Sequence, residues 1–284
     1  MREPDAKPFA DAVTRTVTVG EAALVYRELG LARDSAPPLV ALTHLGANLD
    51  SWDPEVVDPL AEDRRVILLG YRGVGGSSGA VRRTFDEMAD DAIEAIRTLG
   101  HDRVDLLGLS MGGMVAQAII ARAPELVDRA ILASSGPQGG SGLTEMTGIM
   151  IRSILRGLIT ATPPTTLLFF TRSPSGRAAA SAYQARLRRR GTEHDRPVAL
   201  AVLRAQLSAV RRWGREQPQG PSGFSGPVRI VHGDSDRIVP VANADSLLAR
   251  FPQATARIFP DAGHGVVSQH RREVVDLARD FLRR

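Results

Sequence analysis

The chain has 284 residues, of which 43% are hydrophobic and 24% charged. That composition excludes wholesale disorder and leaves room for one large α/β domain or two small ones. Cysteine is absent, which excludes disulfides, a thiol nucleophile, a thiolate zinc site and an iron–sulfur cluster. Basic residues number 36 against 32 acidic, a net of +4, and all but Lys7 are arginine. Arginine-rich basicity raises the question of a nucleic-acid partner. No helix-turn-helix, zinc-finger or RNP motif appears, so no nucleic acid is expected. The polar start, residues 1–8, has no apolar targeting core, and no apolar run approaches the roughly 20 residues of a membrane span. A cytoplasmic protein without membrane insertion is expected.

The first third reads as strands and turns. Residues 14–19 and 22–27 are β-rich and flank Gly20-Glu21, which suits a hairpin. Continuous apolar runs at 39–43, 65–69, 104–108 and 130–133 suit strands buried on both faces, as in a parallel sheet. A glycine-rich turn spans 70–79. Helical spacing marks 85–99, through Phe85, Met88, Ala92, Ile96 and Leu99, and again 111–122. Strands alternating with helices imply right-handed crossovers and helices on both sheet faces.

The alternation stops near Gly136. Residues 137–226 show helical patterns only, with Pro163-Pro164 and Ser173-Pro174 as breaks. The α/β rhythm resumes with a strand at 228–232, a helix at 241–250, a strand at 256–259 and a closing helix at 266–282. One α/β core, 1–136 and 227–284, is therefore expected to carry a helical insertion, 137–226.

Gly108-Leu109-Ser110-Met111-Gly112 sits between a buried strand and a helix. A serine on such a tight strand-to-helix turn is strained and exposed, and its neighbours two residues away must be small. A serine hydroxyl needs a base to act as a nucleophile. Of six histidines, His264 is the best placed, in Asp261-Ala262-Gly263-His264-Gly265 after the last strand. His44 and His232 end strands and suit structural hydrogen bonds. His101 and His194 lie in polar turns, and His270 is expected on the exposed side of a helix. The imidazole needs an orienting carboxylate. Asp234 and Asp236 both follow the strand at 228–232, and only one of them is expected to face His264.

With these motifs in this order, the chain resembles the α/β-hydrolase fold superfamily over nearly its whole length. The nucleophile elbow, the Gly233…Asp236…Pro240 acid turn, the Gly-His-Gly loop and the position of the insertion all match. Gly-Leu-Ser-Met-Gly-Gly is similar to the elbow of the cofactor-free haloperoxidase, lactonase and esterase branch. The resemblance implies a mostly parallel, doubly wound sheet with a helical lid. It also implies a triad of Ser110, Asp236 and His264, an acyl-enzyme mechanism, and no cofactor or metal. Asp236 is favoured over Asp234. The oxyanion hole is expected from the N–H of Met111 and of Gly46, with Leu45 the alternative because His44-Leu45-Gly46 departs from the usual His-Gly-x. Gly70 stands where relatives commonly carry aspartate. The glycines that follow read as a structural turn, since no phosphate-loop lysine follows.

Leu45, Met146 and Trp213 are expected to bind substrate. Met150, Phe169 and Phe170 are further candidates for an apolar pocket, and the packing of the insertion is the competing reading for all of them. The implied activity is hydrolysis of an ester, lactone or related acyl bond in a small molecule. Perhydrolysis or haloperoxidation and carbon–carbon bond hydrolysis are the alternatives on the same triad. A non-catalytic ligand receptor is the alternative of another class. The insertion carries 13 arginines and four acids, whereas the rest of the chain has 23 basic and 28 acidic residues. Solvated helix faces together with attraction between insertion and core are one expected reading of this asymmetry, and steering of an anionic substrate toward the cleft is the other.

Overall fold

The computed structural model describes residues 8–31, 36–191 and 193–283. The polar start up to Lys7 lies outside them. Eight strands form one sheet: β1 (Thr14–Val19), β2 (Ala22–Leu29), β3 (Leu39–Leu42), β4 (Val66–Leu69), β5 (Val104–Leu109), β6 (Val127–Ala133), β7 (Val228–Gly233) and β8 (Thr255–Phe259). Their spatial order is β1-β2-β4-β3-β5-β6-β7-β8. The β1–β2 hairpin and the β2–β4 pair are antiparallel, and every other pair is parallel. The apolar runs at β3 and β4 are buried along their whole length, as expected for strands covered on both faces. The chain winds to one side through β3 and β4 and to the other from β5 onward. The carboxyl ends of β3 and β5 therefore flank the switch point where open α/β sheets place their sites.

The core helices are α1 (Pro54–Ala61), α2 (Phe85–Thr98) and α3 (Met111–Arg122). Thr84 and Glu87 cap α2 reciprocally, which explains its sharp start. The sequence reading has no counterpart to α1, because its pattern carries Pro54 and Pro59. Pro54 occupies the first helical position, where no N–H is needed, and the Asp53 side chain caps the Glu55 N–H. The closing helix is two helices, α9 (Val266–Gln269) and α10 (Arg271–Arg283), divided at His270. His270 is half-buried at this break and its ring lies 5.1 Å from that of Phe259, which corrects its expected place on an exposed helix face.

Between β6 and β7 the described residues form four α-helices and no strand: α4 (Met146–Thr160), α5 (Pro164–Phe169), α6 (Pro174–Leu187) and α7 (Leu200–Arg215). The prolines expected as breaks open α5 and α6 at their first positions, and Ser173 caps α6 through the Gly176 N–H. Past Arg250, α8 (Ala242–Arg250) hands over to β8.

The insertion is fastened to the core by polar ties. Arg186 of α6 grips Asp53 through two hydrogen bonds, 2.8 and 2.6 Å, with both side chains at most 3% exposed. Buried Arg190 donates to the carbonyls of Phe9 and Ala12. The Asp195 carboxylate accepts from the N–H of Gly76 (2.6 Å) and Leu49 (3.1 Å). A Cβ at Gly75 would come within 2.3 Å of that carboxylate, so the glycine-rich turn cradles a side chain of the insertion. A Cβ at Gly70 would meet the Val25 carbonyl at 2.8 Å, so a side chain there would need the neighbouring strand to shift.

Removing one member of a buried ion pair leaves the other charge unpaired, which typically costs about 3–5 kcal/mol. Arg186→Met is expected to lose stability of that order in urea unfolding. Arg186→Lys should recover only part of it, because an ammonium cannot reproduce the two-pronged contact with Asp53.

Candidate active site

The site begins with the turn between β5 and α3. Ser110 has φ 54° and ψ −114°, a left-handed backbone that costs a non-glycine residue about 1–3 kcal/mol. The glycines around it are required by contact distance. A Cβ on Gly112 would lie 2.1 Å from the Leu42 carbonyl oxygen, and one on Gly108 would lie 2.5 Å from Gly113 Cα. The strained turn aims the Ser110 hydroxyl away from the sheet toward the loop after β8.

There His264 Nε2 lies 2.8 Å from Ser110 Oγ, and His264 Nδ1 lies 2.8 Å from Asp236 Oδ2. All three residues are buried. The other oxygen, Asp236 Oδ1, accepts from the N–H groups of Ile238 (2.9 Å) and Val239 (3.0 Å), which fixes the carboxylate's orientation. Burial alone would raise the Asp236 pKa. The His264 and His232 imidazoles together hold it well below the ordinary carboxylate value. Asp234 is exposed and accepts from the Ser235 hydroxyl, whereas Asp236 is buried against His264.

The Gly-His-Gly loop has a steric reason of its own. A Cβ at Gly263 would meet the Phe169 carbonyl at 2.5 Å, and one at Gly265 would meet Phe169 Cβ at 2.8 Å. The Gly265 N–H donates to that carbonyl at 2.8 Å, and the Phe169 ring packs edge-on against His264 at 5.6 Å. The end of α5 thus seats directly on the histidine loop.

Two cavities meet Ser110 and His264. The larger, of about 240 Å³, is lined by Leu45, Gly46, Met146, Met150, Leu168 and Phe169, among others. The smaller, of about 30 Å³, lies toward Trp52, Asp53 and Tyr183. His44 lines both, so it belongs to the site as well as to the end of β3. Its Nδ1 is 3.0 Å from the Leu45 carbonyl, and its Nε2 is buried without a partner among the described residues.

Three expected positions need correction. The Gly46 N–H donates to Gln206 Oε1 of α7 at 2.8 Å and is therefore engaged. The N–H groups of Leu45 and Met111 have no acceptor among the described residues. Trp213 lines neither cavity at Ser110. It packs edge-on against Phe85 at 5.3 Å and donates to the Gly136 carbonyl, pinning α7 to the core. Phe170 is buried beside Tyr183 and likewise faces neither cavity. Gln206 escaped the sequence reading. Its signal is a polar residue inside the stripe of Leu203, Leu207 and Val210, which the helical period turns toward the protein.

Residues 37–270 match the alpha/beta hydrolase fold family. An alpha/beta hydrolase fold protein from Chitinophaga pinensis shares 30% identity and a TM-score of 0.91, covering 97% of this chain and 99% of its own. A pimeloyl-[acyl-carrier protein] methyl ester esterase of Nitrosomonas europaea is 28% identical over 236 residues, 81% of this chain and 89% of that protein. A 2-hydroxy-6-oxononadienedioate/2-hydroxy-6-oxononatrienedioate hydrolase of Klebsiella pneumoniae is 28% identical over 290 residues, 98% and 99% of the two chains. With eight strands, the insertion after β6 and a family match over most of its length, the chain belongs to the alpha/beta hydrolase fold family, and its named relatives here are hydrolases.

Proposed function

We propose that the protein is a serine hydrolase cleaving an ester-type acyl bond of a small molecule through an acyl-enzyme. The observation that carries this reading is the unbroken chain from Ser110 Oγ through His264 to Asp236, two 2.8 Å contacts at the wall of an apolar cavity. The relative named as a methyl ester esterase supports an ester as the substrate class.

In this mechanism His264 Nε2 takes the Ser110 proton as Oγ attacks the substrate carbonyl. Asp236 accepts from His264 Nδ1–H, which holds the acceptor nitrogen toward the serine and stabilises the imidazolium. The oxyanion receives hydrogen bonds from the N–H groups of Met111 and Leu45. Met111 begins α3, so the positive end of the helix dipole adds to the stabilisation. His264 then donates its proton to the leaving group. Water, activated by the same imidazole, attacks the acyl carbon and releases the acid.

Ser110→Ala and His264→Ala are each expected to lower kcat on a 4-nitrophenyl ester by about 10⁴-fold or more. A fluorophosphonate should add its mass to Ser110 and to no other residue. Wild-type turnover in Ser110→Ala would refute the mechanism. Ligand binding without labelling or turnover would favour a receptor instead.

His44 gives a pH signature. Burial pushes its imidazole from 6.5 down to about 4, against the hydrogen bond to the Leu45 carbonyl. The folded state therefore keeps the ring neutral where the unfolded chain would protonate it. That contribution to stability is complete above about pH 6.5 and is lost as the pH falls from 6.5 toward 4, by up to about 3 kcal/mol. Urea unfolding at pH 7.5 and pH 4.5 should show a smaller acid loss in His44→Gln than in the wild type. Equal losses would refute the buried neutral ring.

A further inference from the structure

Beside the larger cavity at Ser110 lies another, of about 350 Å³, walled by Arg152, Arg156, Arg172 and Arg237. The four guanidinium groups come from three places in the chain. Arg152 and Arg156 stand one turn apart on α4, Arg172 follows α5, and Arg237 follows Asp236 in the core. The two cavities share Leu168 and Ile238 as wall. Helix α4 serves both: Met146, Met150 and Ile154 face the Ser110 cavity, and Arg152 and Arg156 face the arginine groove.

The four groove arginines are solvent-exposed, whereas several less exposed arginines elsewhere have carboxylates. Arg186 has Asp53, Arg72 and Arg82 share Asp91, and Arg64 has Asp105. Among the described residues, none of the four groove arginines forms an ion pair with a carboxylate. Arg237 is fixed in place by donating to the Leu167 carbonyl at 2.8 Å. Its guanidinium pKa is lowered by burial and by the neighbouring charges of Arg172 and Arg156, with only Asp236 opposing them. Four like charges gathered without a counter-ion repel one another, and a bound anion relieves that repulsion. Arginine's planar fork matches the oxygens of a carboxylate or phosphate.

We propose that this groove binds the terminal anion, a carboxylate or a phosphate, of a substrate whose apolar arm runs from the Ser110 cavity past Leu168 and Ile238. The proposal rests on the serine-hydrolase reading for the reacting end and defines the substrate class at the other. The ligand is an acyl ester with a hydrocarbon arm capped by an oxyanion. It also gives the basic insertion a local meaning, because a groove recognises an anion where diffuse charge only attracts it.

The test compares kcat/KM for mono-4-nitrophenyl suberate, for an eight-carbon ester ending in phosphate, and for neutral 4-nitrophenyl octanoate. The wild type should favour at least one anionic ester over octanoate by about 10-fold, and the larger ratio names the terminal group. Arg152→Gln/Arg156→Gln should collapse that ratio toward one, chiefly through KM. Arg188→Gln/Arg211→Gln removes the same charge from exposed positions outside the groove and should keep it. No preference for either anionic ester, or equal losses in both double variants, would overturn the proposal. Calorimetric titration of suberate and, separately, of octyl phosphate into Ser110→Ala gives a readout free of turnover, scored on the tighter of the two. Binding weakened about 10-fold by the groove substitutions supports the groove even if the hydrolytic reading fails, and absence of binding refutes it. Failure of the hydrolytic reading shows separately, as loss of fluorophosphonate labelling and of octanoate turnover.

Discussion

The contact on which the site depends is the approach of the first turn of α3 to β3, with Gly112 against the Leu42 carbonyl at a distance no side chain would tolerate. That approach forces Ser110 into a left-handed backbone, and the packing around α3 sustains it. From Met111 to Ile120 every residue of this helix is buried, so the turn cannot relax without disrupting the middle of the sheet. The elbow stands at the end of β5, between β3 and β6. The loops after β3, β7 and β8 therefore converge on one hydroxyl. His44 comes from the first of these loops, Asp236 from the second and His264 from the third.

A second layer of constraint comes from the insertion, which completes the site. Phe169 rests on the histidine loop, Gln206 holds Gly46, and Asp195 occupies the glycine turn. The charge asymmetry read from the sequence divides accordingly. Arg186, Arg189 and Arg190 face Asp50, Asp53 and Glu55, a run of carboxylates leading into α1. These are attachment. The four arginines around the groove face no such partner. Part of the insertion's arginine thus ties it to the core, while three other arginines of the insertion meet Arg237 of the core around the groove.

Most of the strand and helix framework was legible, because it follows from local periodicity. Each apolar run became a strand within a few residues, and Ser110, Asp236 and His264, which lie in mutual hydrogen-bond contact, stand in three motifs whose spacing survives without any knowledge of contacts. What was not legible depends on partners distant in sequence. The Gly46 N–H looks free until Gln206, 160 positions later, takes it. Trp213 looks like a pocket residue until Phe85 and the Gly136 carbonyl claim it. Helix α1 was hidden because its two prolines are read as breakers, while its cap, Asp53, is also the anchor for Arg186. His44 was assigned a structural hydrogen bond, which it has, but its other face looks into both cavities at Ser110.

The arginine chemistry of the insertion has one more consequence. A guanidinium keeps its proton at any pH a folded protein meets and is a poor nucleophile. No lysine stands in the insertion. Acetylation and the other amine-directed reactions that erase lysine charges have no side chain to act on there. The arginine ties to the core and the lining of the groove therefore keep their charge across the working pH range and lie beyond the reach of amine-directed chemistry.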